Sequence, residues 1–216
     1  MRHYFAFICL LFLASRAMAC QTALILTMDV SNSVDPGEYR LQIDGLAAAL
    51  NDPEIAEILV RDKVALSVIQ WSGSDRQEIS IPWRQMKTTF EVAQLALEVR
   101  ALERAFVLSD TAPAEAIAFS MRYFAQAPGC NRHVIDVSGD GTPNAGSEVR
   151  RMRRRAQTAG ITINGLAIEG LGVAITNFYR QSVVTRDGFV ITARGHRDYA
   201  RAIRVKILRE ISRVLG

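Results

Sequence analysis

The chain has 216 residues, 49% of them hydrophobic and 22% charged, which supports one hydrophobic core of ordinary size and excludes a disordered solvating chain or a disulfide-stapled mini-scaffold. Its formal net charge of +4 falls to +2 once Arg2 and Arg16, in a leader expected to be removed, are set aside. A nucleic-acid-binding role therefore has little electrostatic support.

Arg2 and His3 precede an apolar run over 4–13, and Ala17-Met18-Ala19 puts small residues at both positions a signal peptidase reads. Ten apolar residues rise only about 15 Å as a helix, half of a bilayer core. The expected organisation is a signal peptide over 1–19 and one domain over 20–216, periplasmic or secreted. Later apolar runs are broken by charges or glycine within about ten residues, so no transmembrane segment is expected. Cys9 leaves with the leader, while Cys20 and Cys130 remain and, in an oxidising compartment, point to one disulfide. Lipidation of Cys20 is the alternative, although Ala17-Met18-Ala19 matches poorly the Leu-Ala/Ser-Gly/Ala pattern that precedes such a site.

In chain order, residues 24–28 form an apolar run ending at Asp29, which predicts a buried parallel strand. Asp35-Pro36-Gly37-Glu38 supplies an N-cap, a proline at the first helical position and a glutamate three residues after the cap; Tyr39, Ile43, Leu46 and Leu50 follow at helical spacing. A second strand is expected over 63–71. A third, over 78–83, follows a turn too short for a parallel crossover, and Pro82 makes it an antiparallel edge strand. Helices are expected over 88–103, with Phe90, Ala93, Leu97 and Leu102 as its apolar positions, and over 112–126. Then come a strand at 133–138, a helix at 146–159, a strand at 161–168, a short helix at 173–184, a strand at 189–192 and a closing amphipathic helix at 197–214. Strands and helices alternate throughout, so the fold class is α/β with helices on both faces of the sheet.

In such sheets ligands bind beyond the carboxyl ends of the strands, where strand order reverses. After the first strand stand Asp29, Ser31 and Ser33. After the fourth stands Asp140 inside a Gly139/Gly141 turn, and the loop before the 112–126 helix presents Thr111. Two carboxylates and three hydroxyls, with no histidine or cysteine adjacent in the sequence, make a hard-oxygen donor set. That set suits Mg²⁺, Mn²⁺ or Ca²⁺ and not Zn²⁺.

Asp29-x-Ser31-x-Ser33, followed by Thr111 and Asp140-Gly141, resembles the metal-ion-dependent adhesion site of von Willebrand factor type A (vWA) domains. The segments Gln70-Trp71-Ser72-Gly73, 134–141 and 163–168 resemble, more narrowly, a group of exported bacterial proteins classed as a domain of unknown function. The resemblance implies a doubly wound, mostly parallel six-stranded sheet of order 3-2-1-4-5-6 with the third strand antiparallel. It also implies a cation on Ser31, Ser33 and Thr111, with Asp29 and Asp140 acting directly or through water. By the same order the first and fourth strands are neighbours, which would bring Cys20 and Cys130, each about three residues before its strand, to bonding distance. One departure is that 109–113 lacks the glycine that commonly sits two residues before the family's threonine, so Thr111 has a second reading as a plain helix N-cap.

Other classes fit less well. A haloacid-dehalogenase-type phosphatase needs an aspartate where Ser31 stands, the glycines after 139 are wrongly spaced for a dinucleotide fingerprint, and neither a phosphate loop nor Gly-x-Ser-x-Gly occurs. His133 and His196 read as structural or solvated. Asp136, in a strand buried on both faces, needs either neighbours that satisfy it or a role behind Asp140. Arg150, Arg151, Arg153, Arg154 and Arg155 crowd one helix around the inward positions Val149, Met152, Ala156 and Ala159. They read as a solvated face or as a contact for an anionic surface.

The expected function is non-catalytic: a divalent-cation-dependent adhesion or assembly module that binds an acidic residue of a protein partner. The competing class is a metal-dependent hydrolase or phosphatase using Asp29 and Asp140.

Overall fold

A computed structural model describes residues 20–212; the expected leader, 1–19, lies outside the described residues. The sheet has six strands, β1 (Cys20–Asp29), β2 (Ala65–Trp71), β3 (Gln77–Gln85), β4 (Cys130–Gly139), β5 (Ile161–Ile168) and β6 (Val190–Ala193), in the order β3-β2-β1-β4-β5-β6. Only β3 is antiparallel to its neighbour. Around the sheet lie α1 (Pro36–Leu50), α2 (Pro53–Arg61), α3 (Thr89–Arg100), α4 (Pro113–Tyr123), α5 (Val149–Thr158), α6 (Ala174–Phe178) and α7 (Tyr199–Ile211). No helix among the described residues is long and apolar enough to cross a membrane.

The two faces of the sheet are filled by alternation along each strand. Leu24, Leu26 and Met28 of β1 point into one core with α1, α2, α3 and α7. Ala23 and Ile25 point into the other, with α4 and α5. A parallel sheet covered on both sides favours apolar residues at successive strand positions, and the run over 23–26 in the middle of β1 supplies them.

Where sequence expectation and structure differ, the reasons are local. α2 was not foreseen, although Asp52 caps it, accepting from the Glu54 and Ile55 amides, and Pro53 opens it. On α3 the expected face is wrong. Phe90, Ala93 and Leu97 face solvent, while Val92, Leu95, Ala96 and Val99 are buried. The helix carries two apolar stripes, and periodicity cannot choose between them when both repeat every three or four residues. Ala159 is an exposed C-cap rather than an inward position, whereas Val149, Met152 and Ala156 are buried.

Cys20 and Cys130 lie inside β1 and β4, not ahead of them. They are register partners, joined by a disulfide with a Cα–Cα distance of 4.4 Å.

Candidate metal centre

The site lies at the carboxyl ends of β1 and β4, next to each other in the sheet. Asp29 closes β1 and is wholly buried. Its Oδ1 accepts the Ser31 amide at 2.8 Å, an Asx-type turn that bends the chain and presents the following hydroxyls. Arg104 clamps that bend from outside, donating to the Val30 carbonyl at 2.9 Å and the Ser31 carbonyl at 2.7 Å. Asp35 and Glu38 then form the expected capping box, which fixes the start of α1 just beyond the loop.

The hydroxyls form one chain. Thr111 Oγ1 donates to Ser31 Oγ at 3.0 Å, Ser31 and Ser33 share a bond of 3.1 Å, and Ser33 Oγ donates to Asp140 Oδ1 at 2.6 Å. Thr111 is therefore not a helix cap: the cap of α4 is Ala112, which makes no side-chain capping bond. Its loop is held by Ser72 Oγ donating to the Asp110 carbonyl at 2.9 Å and by the Thr111 amide donating to Asn144 Oδ1 at 2.8 Å. Sequence reasoning missed Arg104 and Asn144 as holders of the site. Asn144 had a faint signal, standing in the same turn as Asp140; Arg104 had none.

Asp29 Oδ2 is buried without a hydrogen-bond partner among the described residues. Burial pushes the Asp29 carboxyl up to about 7, against the lowering effect of its bonds with Ser31. A Cβ on Gly139 would come within 2.9 Å of Asp29 Oδ2 and of the Tyr179 hydroxyl, so this close approach of β4 to the carboxylate requires glycine. An orphaned buried carboxylate oxygen beside neutral hydroxyls is a donor set that fits a hard divalent cation.

The expectation that no histidine neighbours the site is corrected. His196, in the turn before α7, has Nδ1 3.0 Å from Glu38 Oε1 and Nε2 3.9 Å from Asp140 Oδ2. The path from β6 to α7 brings it across the sheet end, which no local pattern encodes. His133 instead packs against Phe124, with centroids 4.6 Å apart and the rings tilted at 35°. Asp136 faces α7, where Lys206 Nζ lies 2.6 Å from its Oδ1. Of the arginines on α5, Arg150 donates to Ser182 Oγ at 3.2 Å and Arg153 to the Gln181 carbonyl at 2.8 Å, tying α5 to the π-helical stretch Tyr179–Val183 that follows α6. Arg151, Arg154 and Arg155 keep the solvent face.

The family described as "Protein of unknown function (DUF1194)" matches residues 19–215. The chain belongs to the DUF1194 family. No curated protein matches it. Among solved structures, proximal thread matrix protein 1 from the mussel byssus superimposes with a TM-score of 0.67 at 15% identity, over 88% of this chain and 47% of that one. A second structure of the mussel protein is described as having a zinc-occupied MIDAS motif. A von Willebrand factor type A protein from Catenulispora acidiphila gives 0.63 at 14% identity, over 89% and 43%. The vWF domain of the type V pilus tip protein Mfa5 from Porphyromonas gingivalis gives 0.58 at 11%, over 93% and 99%. The fold of this DUF1194 chain is thus that of a vWA domain, and the chain spans about half the length of the mussel protein.

Proposed function

We propose that this DUF1194 chain is an exported protein-binding module that captures an acidic residue of a partner through a divalent cation, Mg²⁺ or in its place Mn²⁺ or Ca²⁺, held by Ser31, Ser33, Thr111, Asp29 and Asp140. The observation that carries the reading is Asp29 Oδ2, a buried carboxylate oxygen with no hydrogen-bond partner among the described residues, at the foot of a chain of three neutral hydroxyls. A cation bound there supplies a positive centre with a coordination position for an anionic oxygen. Because the hydroxyls carry no charge, they leave that centre more positive than a set of carboxylates would. Adhesive and assembly roles fit the company the fold keeps, a byssal matrix protein and a pilus tip protein. Residues 1–19 are proposed to be the signal peptide that delivers the domain to the periplasm or the exterior.

Catalysis is the competing reading. The three hydroxyls bond to one another, and Ser33 donates to the Asp140 carboxylate; a hydrolytic site would have to use that one pair as nucleophile and base, whereas a chain of neutral donors between two carboxylates suits a hard cation. The deciding experiment is calorimetry with Mg²⁺ on wild type and Asp29→Ala, with partner capture from periplasmic extract in Mg²⁺ or EDTA, and phosphatase and esterase assays alongside. Expected are Mg²⁺ binding and capture that both disappear in Asp29→Ala, and no turnover. Capture that persists in EDTA, or metal-dependent hydrolysis, overturns the reading.

A further inference from the structure

The two oxygens of Asp140 face different neighbours. Oδ1 accepts from Ser33 at 2.6 Å, inside the site described above, whereas Oδ2 looks toward His196 Nε2 at 3.9 Å. On its other side the imidazole sets Nδ1 3.0 Å from Glu38 Oε1. That carboxylate is itself fixed, because Glu38 Oε2 accepts the Asp35 amide at 2.9 Å in the capping box. A ring nitrogen bonded to a carboxylate carries the proton, and in the neutral tautomer the other nitrogen presents its lone pair. Here the other nitrogen is Nε2. It is buried with no hydrogen-bond partner among the described residues, on a side chain only 9% exposed.

His196 Nε2 and Asp140 Oδ2 face each other across 3.9 Å, too far apart for a hydrogen bond. They are at a separation that two ligands of one ion can span, given metal–nitrogen and metal–oxygen bonds of about 2.0–2.2 Å. Glu38, Asp140 and His196 each offer an atom within 4.8 Å of the others.

We propose that His196 Nε2 and Asp140 Oδ2 form a second cation position beside the five-residue site, selective for an imidazole-binding ion such as Zn²⁺, with Glu38 as the positioning residue that fixes the histidine tautomer. A carboxylate on the far nitrogen is the partner that metal-ligating histidines ordinarily have. Imidazole favours Zn²⁺ over Mg²⁺, so the two positions differ in the metal they select while sharing Asp140. With two protein ligands the remaining coordination belongs to water, and the ion exchanges readily. Of the five residues of the proposed adhesion site this position uses Asp140 alone, so it stands or falls separately from that reading.

The test is Zn²⁺ titration in excess Mg²⁺ of purified protein carrying ¹⁵N-labelled histidine, with His133 as an internal control. Expected are a Zn²⁺-induced shift of His196 Nε2 with Nδ1 still protonated, and no shift at His133. His196→Ala loses this Zn²⁺ site and keeps Mg²⁺ affinity within about twofold, and Glu38→Gln, which preserves the cap, weakens Zn²⁺ by about 10- to 100-fold. Asp29→Ala loses Mg²⁺ and keeps the zinc response, which separates the two readings. An imidazole protonated on both nitrogens at neutral pH and indifferent to Zn²⁺ overturns the proposal, as does unchanged Zn²⁺ affinity in His196→Ala. The wild-type spectrum decides the matter even where a variant fails to fold.

Discussion

Lys206 Nζ lies 2.6 Å from Asp136 Oδ1 in the core between the sheet and α7, and neither side chain is more than 1% exposed. The same ammonium is 2.6 Å from Glu210 Oε1, which also accepts from Asn164 Nδ2 at 3.0 Å. One buried cation thus serves two buried carboxyls. Removing it leaves them uncompensated, so Lys206→Met is expected to cost about 3–5 kcal/mol in denaturant unfolding.

The same cluster sets a pH dependence. Burial, with Glu210 adding to it, pushes the Asp136 carboxyl up to about 7 despite the attraction of Lys206; Tyr199, packed nearby, is itself pushed above its ordinary value. A carboxyl whose folded value lies above its unfolded value keeps its proton in the fold after the unfolded chain has released it. Its contribution is therefore full below about 4, is lost as pH rises to about 7, and is flat above. Asp136→Asn is expected to flatten that part of the stability profile by about 1–4 kcal/mol. Urea midpoints for both proteins at pH 5 and pH 8 give the comparison, and equal slopes contradict it.

Cys20 and Cys130 close a loop with a sequence separation of 110. Constraining so long a loop in the unfolded chain is worth about 3–5 kcal/mol. Cys20→Ser with Cys130→Ser is expected to lower stability by that amount while leaving the far-ultraviolet spectrum unchanged. Thiol titration of unfolded, unreduced wild type should find neither cysteine reactive.

Gly139→Ala should be felt at Asp29 directly. The added methyl would meet Asp29 Oδ2 and the Tyr179 hydroxyl at 2.9 Å, displacing the oxygen on which the proposed cation site depends. Expected are a loss of about 1–3 kcal/mol and at least tenfold weaker Mg²⁺ binding by calorimetry.

Arg104→Met removes the clamp on the Val30 and Ser31 carbonyls without removing any donor from the site. Hydrogen bonds from a charged group are worth about 1.5–3 kcal/mol. Mg²⁺ affinity is expected to fall about tenfold with the circular dichroism spectrum intact, and an unchanged affinity would show that the loop holds its shape without the arginine.

The sequence by itself determined whatever is carried by residues close together in the chain. The capping box of Asp35 and Glu38, the alternation of strands with helices, the antiparallel edge strand carrying Pro82 and the spacing of Asp29, Ser31 and Ser33 rest on periodicity or on bonds across two or three residues, and such signals are written locally. Tertiary structure decided what depends on which surfaces meet. Whether Phe90 or Val92 faces the core of α3 was settled by the neighbouring helices, because both stripes have helical spacing. That Asp136 meets Lys206, that Arg104 reaches back to Val30, and that His196 arrives beside Asp140 follow from packing between elements far apart in the chain, where side chains are brought together by the path of the backbone rather than by any pattern along it.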